Sequence, residues 1–315
     1  MKIAGTGSVL PRKIVTNDML AQFLDTSDEW IRTRTGVESR HVISDEKLED
    51  MAIEAAKRAL ENAGMTAEEL DFIICSNVVN EYVTPQMSCM IQGGIGASCP
   101  CIDINCACAG FIYAVEIAES FYQAGKVRNV LVVSAEEPTR MTDWTDRRTC
   151  VLFGDGAGAA VLTPGDNIRC VKLSASSATD KLWQYRLLHP TPYITKDETD
   201  VPLQMKGQDV FKFAVKAAGK DISRVLEETG CSADEVNHYL LHQANIRIIQ
   251  TAASKLGLPM DKFYVNIERY GNTSSASIPL ALSEAVENGS VKRGDKIALV
   301  GFGAGLTYGA VCFEY

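Results

Sequence analysis

A cysteine stands where a predicted strand turns into a helix, a position at which a thiol can act as a nucleophile. Ile102 and Ile104 give the apolar approach of a strand, and Phe111 and Val115 recur at helical spacing after Cys108. The free backbone N–H groups of a helix N-terminus carry partial positive charge, so we expect them to favour the thiolate of Cys108. For this motif taken alone, a small buried cysteine that only packs is the alternative.

Two further polar residues stand at junctions between elements, among apolar or small neighbours. His242 ends a predicted strand that begins at His238, and Asn272 follows Gly271 in a turn. Each residue alone is compatible with an ordinary structural role. Together with Cys108 they supply what a thioester nucleophile, a proton-handling imidazole and a fixed amide donor require. The sequence therefore predicts an acyl-transfer site built from Cys108, His242 and Asn272.

The elements that must position these groups repeat along the chain. Strands alternate with helices, which indicates an α/β fold. Residues 96–133 and 257–300 share one order, namely glycine, strand, small-residue turn, helix, glycine and strand. An offset of about 165 residues is too long for a solenoid and predicts a duplicated domain. Cys108 and Asn272 then occupy equivalent turns, and a pseudo-twofold axis would bring both turns to one central cleft.

The duplication predicts two halves, at residues 1–165 and 166–315. Residues 263–267 are predicted as a strand of the second half, matching the strand before Cys108 in the first. Residues 165–206, which include Pro190, are predicted as an irregular crossover or insertion with a functional surface.

Composition and charge exclude several classes of function. The chain of 315 residues is 46% apolar and 23% charged, which is ordinary for a soluble globular enzyme. A net charge of −9 argues against nucleic acid as the main partner, and any acidic partner must dock on a local basic patch. We expect no secretion signal and no membrane span, hence a cytoplasmic protein whose ten cysteines stay reduced. The two C-x-C pairs, which end at Cys101 and Cys108, lack a matching histidine pair, so no metal site is expected.

Several motifs resemble those of β-ketoacyl-acyl-carrier-protein synthase III, and they keep the family's order almost from end to end. The motifs are Gly5-Thr-Gly-Ser-Val-Leu-Pro, Thr26-Ser-Asp-Glu-Trp-Ile-Arg-Thr-Arg-Thr-Gly, Asn105-Cys-Ala-Cys-Ala-Gly-Phe, Phe153-Gly-Asp-Gly-Ala-Gly-Ala-Ala-Val-Leu, His242-Gln-Ala-Asn-Ile-Arg-Ile-Ile, Arg269-Tyr-Gly-Asn-Thr-Ser-Ser-Ala-Ser-Ile-Pro and Gly301-Phe-Gly-Ala-Gly-Leu-Thr-Tyr-Gly. The resemblance implies the thiolase fold, with two duplicated α/β halves in a five-layered αβαβα sandwich, usually as a homodimer. It also implies decarboxylating condensation of an acyl-CoA primer with malonyl-acyl-carrier protein, which initiates type II fatty-acid synthesis without a resident cofactor.

The same resemblance assigns roles to individual residues. Cys108 would be the acylated nucleophile, and His242 and Asn272 would form the decarboxylation pair. The backbone N–H groups of Cys108 and Ala304 would form the oxyanion hole, although the family often has glycine at Ala304. The CoA-site positions are Trp30, Arg34, Arg147, Gly207, Phe211, Asn245 and Arg247, and Phe302 lies beside the active site. Without the family, Trp30 is as readily a core residue on its helix.

Two surfaces complete the expectations. Thr84 stands where relatives often carry a bulky aromatic that walls the acyl pocket of the dimer partner, so the pocket should tolerate primers that are longer or more branched than acetyl. Lys212, Lys216, Arg247 and Lys255 lie on two predicted helices near the expected tunnel mouth. They form our candidate docking surface for the acidic carrier protein, and an ordinary solvated face is the alternative.

Other functions fit less well. A specialised relative that uses the same chemistry for a secondary metabolite is the main alternative among enzymes. Papain-like hydrolases share the three residue types but lack the duplicated α/β pattern. A non-catalytic acyl-binding subunit tends to lose the nucleophile, whereas this chain keeps all three groups.

Overall fold

A computed structural model describes residues 1–186, 191–193 and 201–315. Part of the predicted crossover, including Pro190, lies outside the described residues. The strands are β1 (Lys2–Val9), β2 (Lys13–Thr16), β3 (Ser39–Val42), β4 (Phe72–Ser76), β5 (Cys101–Ile104), β6 (Val130–Glu136), β7 (Gly156–Thr163), β8 (Ile168–Ala175), β9 (Leu182–Trp183), β10 (Gln204–Met205), β11 (His238–Leu241), β12 (Lys296–Gly303) and β13 (Thr307–Glu314). The α-helices are α1 (Asn17–Leu20), α2 (Asp28–Thr35), α3 (Leu48–Ala63), α4 (Met87–Ile95), α5 (Gly110–Gln123), α6 (Gly207–Thr229), α7 (Ile246–Leu256), α8 (Ile267–Tyr270) and α9 (Ser277–Glu287).

The first half of the chain forms a five-stranded mixed sheet in the order β1-β7-β6-β4-β5. Strand β6 is buried at every position, since it runs through Val130-Leu-Val-Val with β-branched side chains on both faces. It pairs in parallel with β4 and antiparallel with β7. The parallel strands β4 and β5 end at the same edge, where the turn that carries Cys108 begins.

The second half repeats this order as β8-β13-β12-β11, so β8 corresponds to β1 and β11 to β4. The predicted strand at 263–267 is wrong, because only a single bridge joins Phe263 to Tyr239 at the position of a fifth strand. A 3₁₀ turn at Met260–Lys262 precedes this segment and helix α8 begins at Ile267, so the segment between them is too short to form a β-ladder. The predicted boundary at 165/166 lies in the turn where the chain passes from β7 to β8.

Three apolar clusters show how the layers stack. One joins α3 and α4 to the outer face of the first sheet, and another joins α6 and α7 to the outer face of the second. Between the sheets, α5 and α9 bury Phe111, Val115, Ile278 and Leu282 against both inner faces. The α/β prediction and the five-layered arrangement αβαβα are therefore confirmed.

The predicted irregular region 165–206 is partly wrong, because strand β8 occupies Ile168–Ala175. Its sequence alternates, so that Val171 and Leu173 pack inward between the sheets while Cys170 faces the outer cluster. Further along, β9 and β10 form a short antiparallel pair. Within the described ranges, every helix is too short or too polar to cross a membrane.

Candidate active site

The turn that holds Cys108 is built by close packing of small residues. After β5 the chain enters a 3₁₀ turn, Ala107–Ala109, that leads directly into α5. Ala107 adopts a positive φ of 46°, and Gly110 packs so tightly that a Cβ there would lie 1.8 Å from the Ser76 hydroxyl oxygen. The turn thereby fixes the Cys108 side chain, whose Sγ lies 3.4 Å from the Ser274 hydroxyl.

Burial opposes the expected effect of the helix N-terminus on the pKa of Cys108. Burial raises the pKa of the Cys108 thiol to about 12, with the hydrogen bond from Ser274 opposing this rise and the nearby Glu136 carboxylate adding to it. Loss of hydration therefore opposes the effect of the helix N-terminus, whose backbone N–H groups lower the pKa of Cys108. The expected preference for the thiolate stays a prediction.

His242 directly follows β11 and is 1% exposed. Its backbone N–H donates to the carbonyl of Val300, and its Nδ1 lies 2.6 Å from the Ser277 hydroxyl oxygen. Burial lowers the pKa of His242 to about 3, so the imidazole is neutral throughout the physiological range. Ser277 Oγ also accepts the Gln243 N–H, so it holds the Nδ1 side of the ring and leaves Nε2 as the nitrogen without this partner.

Asn272 occupies the equivalent turn of the second half. Its backbone is held by hydrogen bonds in which its N–H donates to Leu152 and its carbonyl accepts from Gly154. Its side-chain Oδ1 accepts the Ser274 N–H at 2.9 Å. This bond identifies the oxygen of the amide, so the NH₂ group is the end that remains available to a substrate.

The three predicted groups meet in one cavity. Cys108, His242 and Asn272 all line a cavity of about 1810 Å³. Phe302 also lines it and packs edge-on against the His242 ring, with 5.2 Å between ring centroids. The two halves thus bring a thiol, a neutral imidazole and an oriented amide together on an apolar wall, as the duplicated pattern predicted.

The strand end after Phe302 runs against the backbone of Cys108. A Cβ at Gly303 would lie 2.5 Å from the Cys108 nitrogen, so only glycine permits this approach. Ala304 follows at the start of a 3₁₀ turn and lines the same cavity. The backbones of Cys108 and Ala304, the predicted oxyanion-hole pair, are therefore neighbours in the site.

Trp30 lies at the cavity between two cations. The guanidinium carbons of Arg34 and Arg147 lie 4.5 and 5.0 Å from its ring centroid. Arg147 also forms an ion pair with Asp25. Trp30 is half-buried and touches an apolar cluster at its inner edge, so it is neither a pure core residue nor a free surface group. One aromatic ring with two guanidinium groups is a suitable surface for a nucleotide that carries phosphates.

The remaining predicted CoA positions also line the cavity, namely Gly207, Phe211, Asn245 and Arg247. The Arg247 guanidinium lies 5.6 Å from the Phe211 ring. Asn245 is already committed within the chain, because its Oδ1 caps α7 and its Nδ2 donates to the Arg34 carbonyl. It therefore links α7 to the end of α2 and forms part of the cavity wall.

The predicted docking surface, Lys212, Lys216, Arg247 and Lys255, lies on α6 and α7, and all four side chains are exposed. Lys212 and Arg247 line the cavity, whereas Lys216 and Lys255 lie outside it. None of the four forms an ion pair with a carboxylate among the residues that the structure describes. Thr84 is also exposed and lies outside this chain's own cavity, although its neighbour Val83 lines it.

Sequence reasoning missed three polar groups around the site. Ser274 contacts the nucleophile, Ser277 contacts His242, and Glu136 lies buried beside Ser275. The two serines belong to the run Ser274-Ser-Ala-Ser277, which was noted only as part of a motif. Glu136 comes three residues after Val133, where the predicted strand ends, and a carboxylate so soon after an apolar run is the signal that could have found it.

Comparison with known proteins agrees with this geometry. Residues 102–180 match the family model for 3-oxoacyl-[acyl-carrier-protein] synthase III, and residues 226–315 match the model for its C-terminal part. A β-ketoacyl-[acyl-carrier-protein] synthase III of Clostridium perfringens is 44% identical over 321 residues, which cover 99% of this chain and 98% of the relative.

Solved structures give the same result. The crystal structure of 3-oxoacyl-[acyl-carrier-protein] synthase III from Aquifex aeolicus superposes with a TM-score of 0.93 and 44% identity, covering 100% of this chain and 99% of that one. The priming β-ketosynthase of the R1128 polyketide pathway superposes with a TM-score of 0.92 and 36% identity, covering 99% of this chain and 95% of that one. Fold, site and sequence together show that the chain belongs to the β-ketoacyl-[acyl-carrier-protein] synthase III family.

Proposed function

We propose that this chain condenses an acyl-CoA primer with malonyl-acyl-carrier protein, through an acyl-Cys108 intermediate, to give 3-oxoacyl-carrier protein, CoA and CO₂. This reaction initiates type II fatty-acid synthesis. The observation that carries the proposal is the convergence of Cys108, His242 and Asn272 on one cavity, each from a different turn of a duplicated fold. Family membership over the whole chain supports the same reaction.

The first half-reaction is acyl transfer to Cys108. Its sulfur attacks the thioester carbonyl of the acyl-CoA, and CoA leaves when the tetrahedral intermediate collapses. The developing oxyanion needs preorganised N–H donors, and we assign this role to the backbones of Cys108 and Ala304. The close approach of Gly303 to the Cys108 nitrogen supports this pairing.

The second half-reaction is decarboxylation and carbon–carbon bond formation. Loss of CO₂ from the malonyl thioester leaves an enolate, whose oxygen accepts hydrogen bonds from His242 Nε2 and the Asn272 amide. A neutral imidazole with its proton on Nε2 suits this role, since it donates without having to titrate. The carbanion then attacks the acyl group on Cys108, and the apolar walls formed by Phe153, Leu203 and Phe302 keep water away.

Substrate binding follows from the charges around the cavity. Trp30 between Arg34 and Arg147 is the proposed site for the adenine and phosphates of CoA. The basic surface on α6 and α7 is the proposed docking site of the acidic carrier protein, which must bind locally on a chain of net charge −9. The proposed chemistry uses only protein groups and the two thioester substrates, so it requires no metal or other resident cofactor.

We further propose a homodimer in which β5 of one chain pairs with β5 of its partner. Strand β5 is the last strand of its sheet in the described structure, and Ile102 on it is 40% exposed. Val83 nearby is 75% exposed. An unpaired apolar edge of this kind is a surface for strand pairing. The ten unbridged cysteines support location in a reducing compartment, the cytoplasm.

In such a dimer Thr84 reaches the acyl pocket of the partner, and its small side chain leaves that pocket wide. We expect acylation with isobutyryl-CoA to be comparable in rate to acylation with acetyl-CoA. Thr84→Phe should slow the isobutyryl reaction selectively, because the ring occupies volume that a branched chain needs. Competition assays with both primers test this, and a strong preference of the natural chain for acetyl-CoA would contradict it.

The similarity to a priming β-ketosynthase of a polyketide pathway favours one second candidate, a specialised condensing enzyme with the same chemistry. It would differ in its partners, either by failing to use malonyl-carrier protein of fatty-acid synthesis or by preferring an unusual acyl-CoA. Measured rates with a panel of primers and carrier proteins separate the two functions.

The deciding experiment is intact-mass analysis after incubation with acetyl-CoA, isobutyryl-CoA and longer primers, with Cys108→Ala alongside. We expect one acyl adduct that is absent from the variant and that disappears, with release of CO₂, when malonyl-carrier protein is added. Absence of an adduct with every primer would contradict the proposed function and leave the fold and family unchanged.

A further inference from the structure

A buried cation lies behind the turn that carries Asn272. Arg40 on β3 is 0% exposed and does not line the cavity. In the described part of the chain its guanidinium pairs with no carboxylate, and it donates only to neutral oxygens. Because burial of a charge without a counter-charge costs free energy, the hydrogen bonds of this guanidinium must offset that cost.

The guanidinium joins β2 and the start of α1 to the segment that precedes β7. Nη1 donates to the Val15 carbonyl at 3.1 Å, and Nη2 donates to Asn17 Oδ1 and to the Val151 carbonyl, both at 2.8 Å. Asn17 is itself buried and fixed, because its Nδ2 donates to the Val37 carbonyl at 2.8 Å. The donors of an arginine point in fixed directions, which suits such a junction. Arg40 therefore holds Val151 against two anchored partners.

The segment that Arg40 holds is the one that binds the backbone of Asn272. Leu152, which follows Val151, accepts the Asn272 N–H at 2.8 Å. Gly154 donates its N–H to the Asn272 carbonyl at 3.1 Å. The two bonds belong to an isolated parallel bridge, which lies outside the named strands. Since no ladder continues this bridge, its position depends on the other contacts of the two segments.

The two segments also pack directly against Arg40. A Cβ at Gly154 would lie 2.2 Å from the Tyr270 carbonyl oxygen and 3.1 Å from Arg40 Cβ. A Cβ at Gly271 would lie 3.3 Å from the same atom of Arg40. Protein interiors are close-packed and transmit displacements to their neighbours. A shift of Arg40 would therefore move the turn that carries Asn272.

We propose, resting on the proposed decarboxylation, that Arg40 is a positioning residue for the side-chain amide of Asn272. The Ser274 N–H fixes the Oδ1 end of this amide, so the place of its NH₂ group is set by the place of the backbone. Arg40 fixes that backbone through Val151 and does not touch the substrate. Stabilisation of an enolate depends on the position of the donor, so a misplaced amide slows decarboxylation and leaves the attack of Cys108 on acyl-CoA unaffected.

The test combines Arg40→Lys and Asn272→Ala, singly and together. Lysine keeps the charge, but its ammonium group lacks the planar fork that reaches three oxygens in fixed directions. Arg293→Lys is the matched control, because Arg293 also donates to two backbone carbonyls, those of Ile3 and Ala4, and does not line the cavity. For each variant, the rates of acylation by acetyl-CoA and of CO₂ release from malonyl-carrier protein by preacylated enzyme are measured.

In Arg40→Lys we expect CO₂ release to fall about 10- to 100-fold, with acylation and the carrier-protein concentration needed for half-saturation unchanged. When Asn272→Ala is already present, Arg40→Lys should have little further effect, because the group that Arg40 positions is gone. Arg293→Lys should behave like the natural chain. Additive losses in the double variant, or equal losses in both half-reactions, would overturn the proposal, since general destabilisation produces either result.

Hydrogen exchange gives a second readout that does not require activity. In Arg40→Lys, the backbone amides of Gly154 and Asn272 should exchange faster than in the natural chain and in Arg293→Lys, as measured by mass spectrometry. Unchanged exchange would overturn the proposal. If Arg40→Lys fails to fold by circular dichroism, Asn17→Ala replaces it in the same comparisons, since it removes an acceptor of the same Nη2. A natural chain that releases no CO₂ would refute the proposed function, whereas the exchange rates would still decide whether Arg40 holds Asn272.

Discussion

The bond between Ser277 and His242 allows one sharp prediction, the effect of Ser277→Ala. Ser277 is 2% exposed at the start of α9, and its hydroxyl oxygen lies 2.6 Å from His242 Nδ1. Removal of the hydroxyl leaves Nδ1 without a partner in a buried site. The imidazole then loses the contact that fixes its orientation, and with it the position of Nε2, the atom that donates to the enolate in the proposed mechanism.

The size of the effect follows from the burial of this pair. A buried polar group left without its hydrogen bond costs roughly 1–3 kcal/mol. If that amount is lost from the transition state for decarboxylation, the rate falls by about 5- to 150-fold, since about 1.4 kcal/mol is a factor of ten. Acylation of Cys108 should be nearly unchanged, because the proposed role of His242 is to stabilise the enolate, which forms only in the second half-reaction.

The two half-reactions can be measured separately. Intact mass after mixing with acetyl-CoA gives the acylation rate, and release of CO₂ from malonyl-carrier protein by preacylated enzyme gives the decarboxylation rate. Ser283→Ala is the control, because Ser283 is a buried serine on the same helix that does not contact His242. Equal losses in both half-reactions, or a natural decarboxylation rate in Ser277→Ala, would refute the reasoning.

Three other variants, one of them a double variant, test the remaining parts of the site. His242→Gln should lose less stability than the natural chain as pH falls from 6.5 toward 3, because the unfolded imidazole binds a proton that the buried one, with its pKa near 3, does not. The free energy of unfolding, measured with urea and plotted against pH, should have slopes that differ between the two chains by up to about 1.4 kcal/mol per pH unit. Parallel plots would contradict this. Trp30→Ala should raise the acetyl-CoA concentration needed for half-saturation about tenfold, because stacking on the ring is lost. The corresponding concentration of acetyl-pantetheine, which lacks adenine, should not change. Equal changes for both substrates would argue against an adenine site. Lys212→Glu with Arg247→Glu should raise the concentration of malonyl-carrier protein needed for half-saturation, and added salt should make this effect smaller. Lys57→Glu on α3 is the control and should leave that concentration unchanged. An unchanged value in the double variant would exclude this docking surface.

Local patterns were enough to predict much of the fold. The alternation of strands and helices and the repeated order of glycine, strand, turn and helix predicted two similar halves, and the two sheets share one strand order. The pattern failed where neighbours in space decide the outcome. At 263–267 an apolar, strand-like sequence forms only one bridge, because flanking helical turns limit it. At 168–175 the chain forms a strand of alternating residues, although the prolines further along the same region led to a prediction of irregular structure.

For the site, the sequence by itself determined which groups are present, and Cys108, His242 and Asn272 do meet in one cavity. Their chemical states were decided only by the tertiary structure. Desolvation raises the pKa of Cys108 and lowers that of His242, and Ser277, 35 residues further along the chain, contacts Nδ1 of the histidine. Cys108 and Glu136 contact neighbouring serines, Ser274 and Ser275, of one turn far along the chain. Spacing along a chain specifies residue types and local elements, whereas protonation and hydrogen bonding depend on burial and on partners that only folding brings together.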